Sequence, residues 1–421
     1  MKIVHISHLY YPSAGGVQTY FKNVSERLVR DYGDDVTVAT TDSYFGPEKS
    51  FFKKITPSHE TINGVKVIRF KYQRWHIKPL KLVVKMLRRL GLTVPEEMIM
   101  QLNGPCSSSM RNYLTNVKAD AFFASSSNYY FMQLPLWRKC NFFYFASIHL
   151  DEEIEKAHLL KKQLECMNAS TLYIANTHFE QQRMIQLGVD AQKTFVLGCG
   201  VEMSDFKIND MSVVSQFKKE IGIPENALVA GYVGRIEKTK NVHLTIEAFS
   251  KLTEKHTNAY LLIAGSGSNY VDELKAIVSL LSPNVSNRIK FLIEFDQSKK
   301  AALFNSLDVL VLPSKNESFG LVFLEAWSCK KPVIGASIGA VRDVVADGHD
   351  GFIVLPDDAI DLADKMDMLL SDKKLRERFG ENGFNKVKER YTWEIIVSKL
   401  RSCYTRALET KDYNSQDIQY V

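Results

Sequence analysis

A chain of 421 residues can hold two or three domains, and 45% hydrophobic with 24% charged residues is the make-up of a folded globular protein, not a collagen-like or disordered one. The net charge of +6 is uneven, with 25 Lys and Arg against 17 Asp and Glu in residues 1–200 and 29 against 31 in residues 201–421. Six cysteines (Cys106, Cys140, Cys166, Cys199, Cys329, Cys403) stand far apart with no C-x-x-C pair, which argues against a zinc site or a disulfide framework and fits a reducing cytoplasm.

The apolar run at Met1–His8 is too short for a signal peptide and reads as a buried strand over Lys2–Leu9. Further strands are expected over Asp35–Thr41, Val65–Phe70, Ala119–Ala124, Phe142–Ile148, Thr171–Ala175 and Thr194–Leu197. Helical spacing separates several of them, at Val17–Tyr32, Met132–Arg138, Ala157–Met167 and Phe179–Leu187. Polar, irregular sequence at 198–224 interrupts this alternation, and it restarts with strands over Leu228–Val233, Tyr260–Ala264, Ile289–Ile293, Val309–Leu312 and Pro332–Gly335. The pattern predicts an α/β protein with two parallel sheets: a first domain over 1–203, a second over 204–390, and a last helical segment, 391–421, returning to the first. No stretch approaches the length of a bilayer span, so a cytoplasmic chain is expected, with contact to a membrane surface left open.

In open parallel sheets ligands bind where strands end in loops leading to helix N-termini. Four such loops stand out. Gly15-Gly16 follows the first strand and lets backbone approach a ligand, or else makes a tight turn. Arg235 and Lys240 lie in one loop after Leu228–Val233, placed to meet a diphosphate or simply solvated. Glu317 and Glu325 bracket the start of an apolar helix, where the amides of Gly320, Leu321 and Val322 are free for an anion. Glu325, flanked by Leu324, Ala326 and Trp327, needs a partner: a ribose diol, or a protein side chain. His149 follows the strand starting at Phe142 and is either structural or functional. No H-E-x-x-H and no clear Asp-x-Asp carboxylate cluster in a loop is present, so no metal and no cofactor is expected.

Taken in order, these loops resemble the retaining nucleotide-sugar glycosyltransferases of family 4, whose GT-B architecture sets two Rossmann-like domains facing each other across a cleft. The most specific element is Glu317-x7-Glu325 inside Pro-Ser-x-x-Glu-x-Phe-Gly-Leu, followed by Lys331-Pro332-Val333-Ile334. The resemblance implies a metal-independent retaining transfer from a nucleoside-diphosphate sugar, a co-substrate rather than a cofactor, to a glycan or lipid-linked acceptor in cell-surface polysaccharide or glycolipid synthesis. It implies that Arg235 and Lys240 hold the donor diphosphate and Glu325 the ribose. Glu317 and the backbone of Phe319–Leu321 would hold the sugar, with Gly16 against the phosphates and His149 near the reacting carbon. Two departures stand out: Asn241 where the family usually has Gly, and Gly198-Cys199-Gly200 in place of the usual Asn-Gly. A nucleotide-sugar epimerase of similar build and a non-catalytic membrane-binding module are the rival readings.

The basic excess of the first half concentrates in residues 51–92, with 11 basic residues and one acidic, Glu60. Lys78, Lys81, Lys85, Arg88 and Arg89 fall mainly on one face of a helical stretch and Leu80, Val83, Val84, Leu87 and Leu90 on the other. That pattern suits an anionic membrane surface peripheral to the cytoplasm, and equally a surface helix packed on its own domain. No nucleic-acid recognition motif accompanies the charge, and nucleic acid is not an expected partner.

Overall fold

The computed structural model describes residues 1–13, 15–45, 52–103, 106–125, 130–145, 161–267 and 269–409. It divides into two units, Met1–Gly198 with Ile396–Val421, and Cys199–Ile395. The first contains β1 (Lys2–Ile6), β2 (Asp35–Thr41), β3 (Ser43–Phe45), β4 (Phe52–Lys54), β5 (His59–Ile62), β6 (Val65–Phe70), β7 (Ala121–Ser125), β8 (Phe142–Phe145), β9 (Leu172–Ala175) and β10 (Thr194–Val196). Eight of these form one sheet in the order β10-β9-β8-β7-β1-β2-β6-β5, while β3 and β4 pair separately. The central strands are buried on both faces and therefore read as unbroken apolar runs, as in Phe122-Phe123-Ala124.

The sheet is parallel except for β5, which runs antiparallel to β6. This hairpin was not expected from the sequence, because His59-Glu60-Thr61-Ile62 is polar enough for an edge strand to pass as loop. Its signal was Asn63-Gly64, both with positive φ (49° and 84°), the pair that a two-residue turn of type I′ requires.

The second unit contains β11 (Leu228–Val233), β12 (Ala259–Gly265), β13 (Ile289–Ile293), β14 (Val309–Leu312), β15 (Val333–Ala336) and β16 (Gly351–Val354), all parallel in the order β13-β12-β11-β14-β15-β16. Two further helices, Ala359–Ser371 and Lys373–Arg390, follow β16.

The division falls at 198/199, ahead of the break expected near 203, and the chain rejoins the first unit at Ile396 instead of 391. One reason is local. The Val201 amide donates to the Tyr391 carbonyl at 2.9 Å and Val201 pairs with Thr392, so both connecting segments are zipped together inside the second unit.

The last helix, Trp393–Glu409, buries Ile396, Val397, Leu400, Tyr404 and Ala407 along one stripe. Tyr404 meets the Phe143 ring edge-on at 4.7 Å, and Arg401 donates to the buried Asp34 carboxylate at 2.9 Å. Tyr404→Ala is expected to lower stability by about 3–5 kcal/mol, the usual cost of emptying an aromatic site. Tyr404→Phe, which keeps the ring and removes a buried hydroxyl unpartnered among the described residues, is expected to leave the denaturant midpoint unchanged or raise it.

Candidate functional site

In the second sheet the chain steps outward from β11 to β13, then returns and begins again on the other side of β11 with β14. At such a reversal the loops leaving two neighbouring strands turn to opposite faces and open a crevice at their carboxyl ends. Those loops are Gly234–Asn241 after β11 and Pro313–Gly320 after β14, the two that carry the charged sequence motifs.

Lys240 and Glu317 meet directly across this reversal. The Lys240 ammonium donates to Glu317 Oε2 at 2.8 Å and to the Asn316 carbonyl at 2.9 Å, with only 10% and 16% of the two side chains exposed. Two of the three ammonium protons are thereby used inside the protein. A second tie runs beside it: Lys315 pairs with Asp357 at 2.8 Å, Asn241 Nδ2 donates to the same carboxylate at 2.8 Å, and the Lys315 amide donates to the Thr239 carbonyl. Asn241 has φ 55° and ψ 32°, the left-handed conformation for which glycine is usual and asparagine is the best-tolerated substitute. The departure noted at this position thus leaves the backbone geometry available.

Arg235 is half exposed and pairs with Glu237 at 3.1 Å. Its backbone is held from below: the Tyr232 hydroxyl donates to the Arg235 carbonyl at 2.6 Å, and the Ile236 amide donates to the Ser266 carbonyl. Burial first, and then the Glu317 carboxylate, push the Tyr232 phenol well above its ordinary range, so it stays a neutral donor.

Gly320 starts the helix Leu321–Ser328 with φ 85°. A Cβ there would run into the Phe323 ring, so the left-handed turn and the close approach both require glycine. Phe319 is buried edge-on against Tyr391 at 5.6 Å, and half-buried Leu321 and Val322 lead the helix, whose first amides form its positive end. Glu325, one turn along, has a protein partner: Lys300 donates to its Oε1 at 2.6 Å. Trp327 anchors the far end of the helix through its indole N–H, which donates to the Asp350 carbonyl at 2.9 Å.

The first sheet reverses between β1 and β7, and Gly15 ends the loop that leaves β1 there, with Gly16 the first residue of the helix that follows. Gly15 precedes the helix Gly16–Tyr32 without a side-chain cap, and the buried Arg69 steadies the loop by donating to the Tyr11 carbonyl at 2.8 Å while it pairs with Glu60. His149 lies outside the described residues. Lys78, Lys81, Lys85, Arg88 and Arg89 are exposed on the helix Ile77–Arg89 of the first unit.

Four contributors were not singled out from the sequence. Lys300, Lys315 and Asp357 carry no local signal, because each is defined by a partner distant in the chain. Gly265 had one, the Gly-Ser-Gly turn closing β12: a Cβ on it would overlap the Gly234 carbonyl, so it lets the two strand ends close together.

Comparison with known proteins bears on the fold. Residues 213–386, within the second unit, match the family described as glycosyl transferases group 1. The capsular polysaccharide biosynthesis glycosyltransferase CapM of Staphylococcus aureus is 32% identical over 51% of this chain and 54% of its own length, so the match spans about half of each. An uncharacterized glycosyltransferase of Methanocaldococcus jannaschii is 26% identical over 97% of this chain and 99% of its own. Among solved structures, Anabaena HepE in complex with UDP and glucose superposes with a TM-score of 0.69 at 20% identity, over 96% of this chain and 99% of its own. The fold is the GT-B plan of two Rossmann-like sheets.

The Lys315 ammonium, and next to it Asn241, hold the Asp357 carboxyl below its ordinary value. A carboxyl depressed by folding stabilises above its unfolded pKa, and the gain fades as pH falls through the lower folded value. The melting temperature of the protein is therefore expected to exceed that of Asp357→Asn at neutral pH, and the difference to shrink once the pH falls below about 4.

Proposed function

We propose that the protein transfers a sugar from a nucleoside-diphosphate donor to a glycan or lipid-linked acceptor, with retention at the anomeric carbon and without a metal ion. The observation that carries this reading is the Lys240–Glu317 contact at the sheet reversal, with Arg235 on the same loop and a helix start beside it. HepE, whose structure holds UDP and glucose, shares the fold and supports a nucleotide-sugar donor. The name of CapM supports an acceptor of the capsular polysaccharide kind.

The difficult step is the departure of a diphosphate from the anomeric carbon, since negative charge builds on the leaving oxygen as the acceptor hydroxyl attacks. Lys240 is already oriented by two hydrogen bonds, so little reorganisation is needed as that charge develops. Arg235, half exposed, leaves Glu237 to fork onto the phosphates. The first amides of the helix Leu321–Ser328 add a fixed positive end. Glu317, with the Phe319–Leu321 backbone, takes the sugar hydroxyls. Lys300 occupies one oxygen of Glu325, and the other accepts from the ribose.

The test is a thermal-shift screen of the protein and of Arg235→Ala against UDP, GDP, ADP and CMP without added metal. One nucleoside diphosphate at 100 times its Kd should stabilise the protein by about 2.7 kcal/mol, and Arg235→Ala should lose most of that response. No response to any nucleotide would sink the reading. With the cognate donor and acceptor, Lys240→Ala is expected to lower kcat by about 10²–10³, as removal of an oriented charge-stabilising donor does.

A further inference from the structure

The helix Ile77–Arg89 presents three faces instead of two. Ile77, Leu80, Val84 and Leu87 recur at helical spacing and turn inward, Val84 fully buried and the others half-buried. This is the packed face, and it takes up only part of the apolar side expected from the sequence. Lys78, Lys81, Lys85, Arg88 and Arg89 form a second, exposed face. Between the two, on the side away from the core, runs an exposed apolar row at spacings of three and four: Leu82 at 69%, Met86 and Leu90 each at 61%, with Val83 beside them. Trp75, 79% exposed, precedes the helix, and Leu92 follows it.

Single exposed apolar side chains are ordinary, but a contiguous row of them marks a surface that something covers. What covers it is constrained by charge. The five basic side chains beside the row pair with no carboxylate among the described residues, and the stretch 51–92 has one acidic residue. A second copy of the chain packing row against row would bring two basic faces together, which repels. An anionic bilayer satisfies both halves, since phosphate headgroups meet the ammonium and guanidinium groups while the apolar row enters the boundary with the acyl chains. The base is firm enough for docking, because the Gln73 amide donates to the Cys106 carbonyl and Gln73 Oε1 accepts from Ser108.

We propose that residues 75–92 dock this protein on an anionic phospholipid surface, with Leu82, Met86 and Leu90 inserted, the basic row against the headgroups and Trp75 at the interface. The proposal goes beyond the donor reading and does not rest on it.

The experiment is co-sedimentation of the full chain with vesicles of phosphatidylcholine alone or mixed with phosphatidylglycerol, followed also by tryptophan emission. Binding is expected only with phosphatidylglycerol, weakening with salt, with a blue shift that Trp75→Phe removes. Lys81→Gln with Lys85→Gln should weaken binding on the order of 20-fold or more, at about fivefold per charge. Leu82→Gln with Met86→Gln should also weaken it and reduce the blue shift. Because all four side chains are exposed, both double variants should melt with the parent, which separates loss of binding from loss of fold. Absence of binding to phosphatidylglycerol vesicles, or binding unchanged in both variants, would overturn the proposal. So would lipid-free self-association that Leu82→Gln with Met86→Gln abolishes, since it would identify a second copy as the occupant.

Discussion

The ammonium of Lys240, lodged between the Glu317 carboxylate and the Asn316 carbonyl, joins two loops that leave neighbouring strands of a reversing sheet. Such a pair is weak support for stability as such, because both charges give up water to form it. Its value is geometric. Removed from solvent, a charge with fixed hydrogen bonds keeps one orientation, and the low dielectric around it strengthens its field at any neighbouring anion. The Lys315–Asp357–Asn241 tie does for the backbone what the Lys240–Glu317 pair does for the side chains, since it brings the chain after β16 into the same set of loops. The crevice is thus built from three segments well separated in the sequence, and each holds the others in register.

The helix that starts at Gly320 completes the arrangement. Its amides give a positive end that needs no side chain, so the site combines a fixed dipole, an oriented ammonium and a half-exposed guanidinium at Arg235. Glu325 is a carboxylate on an apolar helix, and Lys300 compensates it at a cost lower than leaving it unpaired. Of the two partners open to that residue in the sequence, the structure shows the protein side chain, held through one oxygen.

The surface helix of the first unit resolves a similar choice. An amphipathic pattern can signal packing on a core or binding to an external surface, and here the apolar residues span more of the circumference than the core contact covers. The inward face secures the helix, which leaves the outer apolar row and its basic flank free to act without unfolding anything.

From the sequence alone, the strands of both parallel sheets other than β16, which was not expected, were legible as apolar runs, since burial on both faces removes the need for polar alternation. The motif loops were legible too, because Gly15-Gly16, Arg235 with Lys240, and Glu317 with Glu325 each lie within a short span whose spacing has a direct structural meaning. The edge strand β5 escaped because edge strands carry polar residues, although Asn63-Gly64 marked its turn. The first helix residues after Gly320 could be anticipated, but not that Lys300 would sit on Glu325, that Asp357 would clamp Lys315 and Asn241, or that Gly265 would press against Gly234. Those contacts depend on which strands are neighbours in the sheet. Local sequence encodes the conformation of a segment, whereas the partner of a buried charge is chosen by the crossing of distant segments, and only the tertiary structure decides it.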